Sequence, residues 1–356
     1  MLTKIFENVA VSGIACALPT RRVFTDEYIK HFGEDGIRKF KDATGIESRY
    51  LSNGKQTAGD LCYVAARELM RHKNLSGDDI DAVVFVSETP DYKTPSTAFI
   101  LHKRLNIKED CLAFDLNLGC SGFAVGVNTA AAMINGGAAE KILLLAGYKS
   151  NLDNCVYNDK SATMMFGHAG SACILSATGG GGGGGIKGIV KSDGSGYKAL
   201  MHPVPGERFF DGYKRVSEDG LTYHMSGDDV FIFTITKVPK MFKEFFSENN
   251  CSIDDYDYCV LHQANLMILK TLAKKLKIPA EKMPVSINRY GNTSGASVPL
   301  GIVDLCGREG VQENLHLITS GFGVGLSWGL ADFKINKADV LAPIFTDEYF
   351  EEGFEV

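Results

Sequence analysis

The strongest constraint on how this chain folds is that part of it occurs twice. Asp78-Asp79-Ile80-Asp81 begins an apolar strand, which leads into a helix ending Lys103-Arg104-Leu105-Asn106-Ile107 and then a strand at Leu112 to Leu116. In the second half, Asp254-Asp255-Tyr256-Asp257 begins another such strand, followed by a helix ending Lys274-Lys275-Leu276-Lys277-Ile278 and an expected strand at Met283 to Ile287. The offset is 176 residues at the acidic start and 171 at the basic helix end, a drift that one loop absorbs. Chance likeness between two amphipathic segments is the competing reading, but three landmarks keep the same order. The repeat places Cys120 and Asn292 at equivalent strand-to-helix corners, with His262 at the end of the strand before the Asn292 corner. The runs Ala82 to Val86 and Ile142 to Ala146 are apolar throughout, as strands covered on both faces are, so the fold class is α/β.

A length of 356 residues gives room for two such units. Seven consecutive glycines at 179–185 cannot pack a core or hold a regular element, and no Lys-Ser/Thr follows at phosphate-loop spacing. They mark a linker between an N-terminal half, 1–178, and a C-terminal half, 186–356. A net charge of −6 without a long basic run argues against nucleic acid as a partner. No stretch of about 18 apolar residues and no signal-peptide pattern occurs, so no membrane span and a cytoplasmic location are expected. The nine cysteines are odd in number and scattered without CxxC pairs, which fits reduced thiols and argues against a disulfide framework or a structural zinc site.

One of those thiols stands apart. Cys120 sits in Leu116-Asn117-Leu118-Gly119-Cys120-Ser121-Gly122, directly after a strand and before the small-residue helical stretch from Phe123 to Ala139. The positive end of a helix dipole and its unpaired amides favour a thiolate there, and flanking glycines let a reacting carbonyl approach. His262, in Leu261-His262-Gln263-Ala264-Asn265, would taken alone be a core histidine more often than a catalyst. Asn292, in Gly291-Asn292-Thr293-Ser294-Gly295-Ala296-Ser297, would taken alone be a helix cap.

Together the motifs resemble the β-ketoacyl-acyl-carrier-protein synthase III family of the thiolase superfamily. The carrying residues are Thr44-Gly45-Ile46 with Arg49, Thr94-Pro95-Ser96, Ala113-Phe114-Asp115, Gly119-Cys120-Ser121-Gly122-Phe123 and Phe166-Gly167. Further along come Ser192-Asp193-Gly194-Ser195, His262-Gln263-Ala264-Asn265, Gly291-Asn292-Thr293-Ser294, and Gly321-Phe322-Gly323-Val324-Gly325 followed by Ser327-Trp328-Gly329. The resemblance implies a thiolase-like five-layered αβαβα fold of two duplicated halves and a Cys120-His262-Asn292 triad. It implies that Cys120 is acylated by a thioester, with the backbone N–H groups of Cys120 and Val324 as the oxyanion hole. Decarboxylative condensation with a malonyl thioester would then give a 3-oxoacyl product, in fatty acid or related specialised biosynthesis. Thr94, Lys160 and Asn265 are the implied substrate-binding residues. The implied substrates are acyl-CoA or acyl-carrier-protein thioesters, the implied assembly is a homodimer, and neither a metal nor a redox cofactor is required.

Departures from the family pattern bear on substrate. Met267 stands where relatives often carry an arginine for carrier docking, and Tyr28 is a loose substitute for an entrance tryptophan. Asp159-Lys160 keeps charge without a guanidinium fork. Residues 33–42 look inserted, His168 replaces an acidic residue and reads as structural, and the stretch from Ala338 to Val356, with six acidic residues, reads as a surface tail or a dimer-spanning arm. An acyltransferase of the same fold acting on a small acceptor, and a non-catalytic partner subunit, are the competing functions. A papain-like protease is rejected, because the Cys-Gly-Ser-Cys-Trp surroundings are absent.

Overall fold

In the computed structural model, which describes residues 3–150, 160–179, 185–201 and 224–351, both apolar runs lie side by side in the first of two main sheets. From edge to edge the first sheet is Ile344–Phe345, Val9–Leu18, Ala169–Ala177, Lys141–Tyr148, Ala82–Val86 and Leu112–Leu116. The second is Lys4–Phe6, Ile186–Ser192, Ser327–Asn336, Asn314–Gly323 and Tyr258–Leu261. Within each, Ala82–Val86 runs parallel to Lys141–Tyr148, and Tyr258–Leu261 parallel to Asn314–Gly323. The remaining pairs along the shared order are antiparallel in both sheets.

The duplication extends to individual hydrogen bonds. Ser76 and Ser252 each cap a short 3-10 turn by a reciprocal bond with the aspartate three residues on, Asp79 or Asp255, the backbone N–H donating at 2.7 Å in both. The aspartate that begins each strand then accepts from the backbone of the neighbouring parallel strand, Asp81 from Lys141 N at 2.9 Å and Asp257 from His316 N at 2.6 Å. Each following helix ends in a left-handed residue, Asn106 (φ 51°) or Lys277 (φ 56°), which turns the chain back toward its sheet.

Two helices lie between the sheets. Gly122–Asn135 touches strands of both, and all ten residues of Ser297–Cys306 are buried, which is why neither sequence carries a polar stripe. Amphipathic helices close the outside: Ala58–His72 and Thr97–Arg104 over the first sheet, Gly227–Asn249 with Leu266–Leu276 over the second. The result is the expected αβαβα layering. Among the described residues no helix is long and apolar enough to cross a membrane.

One reading changes, and two others gain detail. The expected strand from Met283 to Ile287 is absent; Pro284 has no N–H to give a ladder, and the buried Gln263 side chain takes the ladder's place. Gln263 Oε1 accepts from Ser286 N (3.0 Å) and Ile287 N (3.3 Å), while Nε2 donates to Leu261 O (2.8 Å) and Pro284 O (3.4 Å). Among the described residues the second sheet therefore has no counterpart to Leu112–Leu116. Residues 338–351 of the expected surface tail or dimer-spanning arm run as a strap along their own chain's first half. There Thr346 N donates to Leu18 O, Arg67 pairs with Glu348, and Phe350 N donates to Asp60 under the Arg104 guanidinium. The stretch that looks inserted, 33–42, lies in the helix Ile29–Thr44, kinked at Gly33 (φ 70°). Most of the glycine run, 180–184, lies outside the described residues.

Candidate active site

Cys120 lies between the end of Leu112–Leu116 and the helix Gly122–Asn135, as its corner position requires. The opposite wall is the turn after Asn314–Gly323, where a Cβ on Gly323 would come within 2.6 Å of Cys120 Cβ, so only glycine lets the two segments meet. Ser121 Oγ and Ser327 Oγ lie 2.6 Å apart, and Ser327 Oγ donates to Val324 O, which pins this turn against the helix start. The amides of Cys120 and Val324 both act on the Cys120 sulfur and lower its pKa.

Those amides do not decide the balance. Burial pushes the Cys120 thiol up to about 12, and the Glu88 carboxyl pushes in the same direction. Both effects favour the neutral thiol and oppose the pull of the helix N-terminus toward the thiolate. Cys16, Cys62, Cys173 and Cys259 are buried with thiols likewise raised, and act as small apolar side chains. Position in the fold, rather than acidity, sets Cys120 apart.

His262 is held by the second sheet, its backbone N–H donating to Ser320 O at 2.8 Å. Its Nδ1 lies 2.6 Å from Ser297 Oγ, its ring packs edge-on against Phe322, and burial lowers its pKa to about 3. Asn292 is gripped by the backbone on both sides: its N–H donates to Met165 O (2.9 Å) and its carbonyl accepts from Gly167 N (3.0 Å). Phe166-Gly167 is thus the clamp for the asparagine. Ser294, a left-handed residue at φ 48°, joins the parts. Its N–H donates to Asn292 Oδ1 at 2.9 Å, its backbone acts on His262, and its Oγ lies 3.7 Å from Cys120 Sγ. Cys120, His262 and Asn292, far apart in sequence, all meet this one residue.

Comparison with known proteins bears directly on such a site. The profile of the 3-oxoacyl-[acyl-carrier-protein (ACP)] synthase III family matches residues 114–194, and that of its C-terminal part matches residues 246–335. A β-ketoacyl-[acyl-carrier-protein] synthase III of Clostridium perfringens is 32% identical over 331 residues, covering 92% of this chain and all of the relative. One from Phocaeicola vulgatus is 31% identical, over 92% of this chain and 96% of its own. The solved structure of a 3-oxoacyl-(acyl-carrier protein) synthase from Burkholderia xenovorans superposes with a TM-score of 0.89 at 33% identity, covering 97% of this chain and 99% of its own. The chain belongs to the 3-oxoacyl-[acyl-carrier-protein] synthase III family. It is a condensing enzyme on the thiolase-like fold.

The remaining residues singled out in the sequence lie away from the cluster or have other work. Thr94 is exposed on the loop before Thr97–Arg104. Asn265 caps Leu266–Leu276, its Oδ1 accepting from Ile268 N at 2.8 Å. Lys160 opens the helix Lys160–Met165, but its side chain and Asp159 lie outside the described residues. Tyr28 OH accepts from Arg49 at 2.6 Å. His168 is fully buried, accepting at Nδ1 from Ser52 N, with its pKa lowered to about 3, which fits the structural reading. The sequence drew no attention to Glu88, in the polar turn after Ala82–Val86. Its Oε1 accepts from Ser294 Oγ at 2.7 Å, and a Cβ on Gly119 would come within 2.6 Å of its carboxyl.

Proposed function

We propose that Cys120 takes an acyl group from a CoA or acyl-carrier thioester and passes it to the enolate formed by decarboxylation of a malonyl thioester, giving a 3-oxoacyl product for fatty acid or related biosynthesis. The observation that carries this reading is the meeting of Cys120, His262 and Asn292 around Ser294. The Cys120 and Val324 amides face the sulfur, where the oxyanion of an acyl-transfer intermediate forms. Ser297 Oγ lies 2.6 Å from His262 Nδ1, and with the serine hydroxyl as donor in that bond the ring proton sits on Nε2. A neutral imidazole with Nε2–H, beside the Asn292 amide, suits donation to an enolate oxygen. No metal or redox group is needed, because covalent acyl transfer and fixed donors carry each step.

The edge of the first sheet supports pairing as a homodimer. Leu112–Leu116 has a strand neighbour on one side only among the described residues, and Leu112 (52% exposed), Phe99 (54%) and Tyr92 (50%) leave apolar surface beside it. Pairing with a second copy covers this edge and brings the Thr94 loop toward the partner's acyl pocket. The test of the reaction is intact mass after incubation with a panel of acyl-CoA and acyl-carrier thioesters, followed by a malonyl-carrier chase. The acyl mass is expected on the wild type, absent from Cys120→Ala, and discharged as 3-oxoacyl product by the chase. A Cys120→Ala protein that still takes up the acyl group would sink the assignment.

A further inference from the structure

The reaction just described begins with a neutral thiol and a histidine that is a poor proton acceptor. Nδ1 of His262 is already paired with Ser297, and burial holds the ring well below its ordinary pKa. The proton of Cys120 needs another destination, and one chain of atoms leads from it. Ser294 Oγ lies 3.7 Å from Cys120 Sγ and donates at 2.7 Å to Glu88 Oε1. We infer that Glu88, acting through the Ser294 hydroxyl, is the proton acceptor that activates Cys120 for acylation.

Three features fit Glu88 to that task. The turn that carries it follows the Ala82–Val86 strand, in the same sheet as the strand leading to Cys120, so the carboxyl is fixed relative to the nucleophile by the fold. Gly119 has no Cβ, and the space left is where the carboxyl lies. Burial raises the Glu88 pKa, which makes its ionised form a stronger base than a carboxylate in water. In acylation the thiol proton moves to Ser294 Oγ as the Ser294 proton moves to Glu88. The Cys120 sulfur forms a bond to the acyl carbonyl carbon, and the tetrahedral oxyanion collapses with cleavage of the bond to the leaving sulfur. The leaving thiolate takes up, by way of solvent, the proton that Glu88 acquired. No electrons are gained or lost overall, and the carboxylate is restored for the next cycle.

The inference rests on Cys120 being the acylated residue, and its sign separates it from a purely electrostatic role. A negative carboxyl that merely sits near the sulfur disfavours the thiolate, so Glu88→Gln would then speed acylation. A proton acceptor predicts the opposite: Glu88→Gln slows self-acylation by about 10²-fold at neutral pH, the lower part of the range for general-base catalysis. Acetyl-, hexanoyl- and decanoyl-CoA serve as donors, with quenched intact mass as the readout. Iodoacetamide alkylation of Cys120 from pH 5.5 to 10 adds a probe that needs no acyl donor. Wild-type rates should show an ascending limb at the Glu88 ionisation, and Glu88→Gln should lack it, following thiol ionisation alone. Ser294→Ala should lose as much as Glu88→Gln, and the double variant no more than either. A faster or unchanged Glu88→Gln, a retained limb, or additive losses would overturn the relay. A wild type that alkylates with the limb but accepts none of the acyl donors would instead sink the acylation reading.

Discussion

Replacing Gln263 by Leu removes the side chain that stands in for a missing strand between His262 and the segment leading to Asn292. The buried amide serves four backbone groups, two at short range: Leu261 O at 2.8 Å and Ser286 N at 3.0 Å. A buried polar group left without its partner costs about 1–3 kcal/mol, so these two alone put the loss of stability at about 2–6 kcal/mol. The contacts at 3.3 and 3.4 Å are too long to add to that figure. Leu fills nearly the same volume, so the loss measures hydrogen bonding rather than a cavity. Urea unfolding followed by tryptophan fluorescence, with the single Trp328 in the second sheet, reads it directly. Malonyl decarboxylation should fall as well, because Ile287 begins the turn that positions Asn292. A Gln263→Leu protein within about 1 kcal/mol of wild type would show that packing alone holds residues 284–287, and would refute the substitute-strand argument.

His262→Ala and Asn292→Ala should each depress malonyl decarboxylation by roughly 10²- to 10³-fold, as for a lost oxyanion donor, while slowing Cys120 self-acylation much less. Equal loss of both half-reactions in quenched-flow mass assays would instead make His262 the base for the thiol. Burial, with the neighbouring Asp60 charge adding to it, raises the Asp91 pKa to about 6. Its contribution to stability is therefore full below pH 4 and lost as pH rises through 6, and Asp91→Asn should flatten that slope and stabilise the protein at pH 8 by up to about 3 kcal/mol. Thermal melts from pH 4 to 8 check this, and a variant that keeps the wild-type slope would place the pH dependence elsewhere. Lys270 and Lys274, exposed one turn apart beside Met267, form a basic face on Leu266–Leu276, and reversing both to Glu should raise KM for a malonyl carrier at nearly constant kcat. A reaction insensitive to the reversal and to added salt would point to CoA thioesters or a small acceptor.

The parts of this fold legible in the sequence were those with a local cause. Apolar runs, acidic strand starts and small-residue helices each declare themselves within ten residues, and together they exposed the duplication and the corner carrying Cys120. The segment 283–287 misled because Met, Val and Ile alternate there as in a strand. Its actual partner is a glutamine side chain twenty residues earlier, which no local pattern announces. Glu88 was invisible for a related reason. A lone carboxylate in a polar turn reads as solvated, and only the approach of Gly119 and Ser294 shows that it faces the nucleophile. The strap at 338–351 reads from its acidic residues only as a surface tail or a dimer-spanning arm, because its contacts are distant in sequence. Its anchors, Arg67, Gln56 and Leu18, all lie in the first seventy residues.

The two ends of the chain each belong to the sheet of the opposite half: Lys4–Phe6 edges the second, and Ile344–Phe345 edges the first. A ribosome delivers the first half long before the strand that seals its edge. Until residues 340–345 emerge, Ile14, Ala17 and Leu18 of Val9–Leu18 lack their edge partners, and the buried helix Ser297–Cys306 that covers the strand's inner face is also missing. The N-terminal half therefore cannot mature on its own during synthesis, as the first domain of a multidomain chain commonly does. Its completion waits for Ile344–Phe345, so a message truncated in the second half before that strand yields an open-edged sheet rather than a smaller working unit.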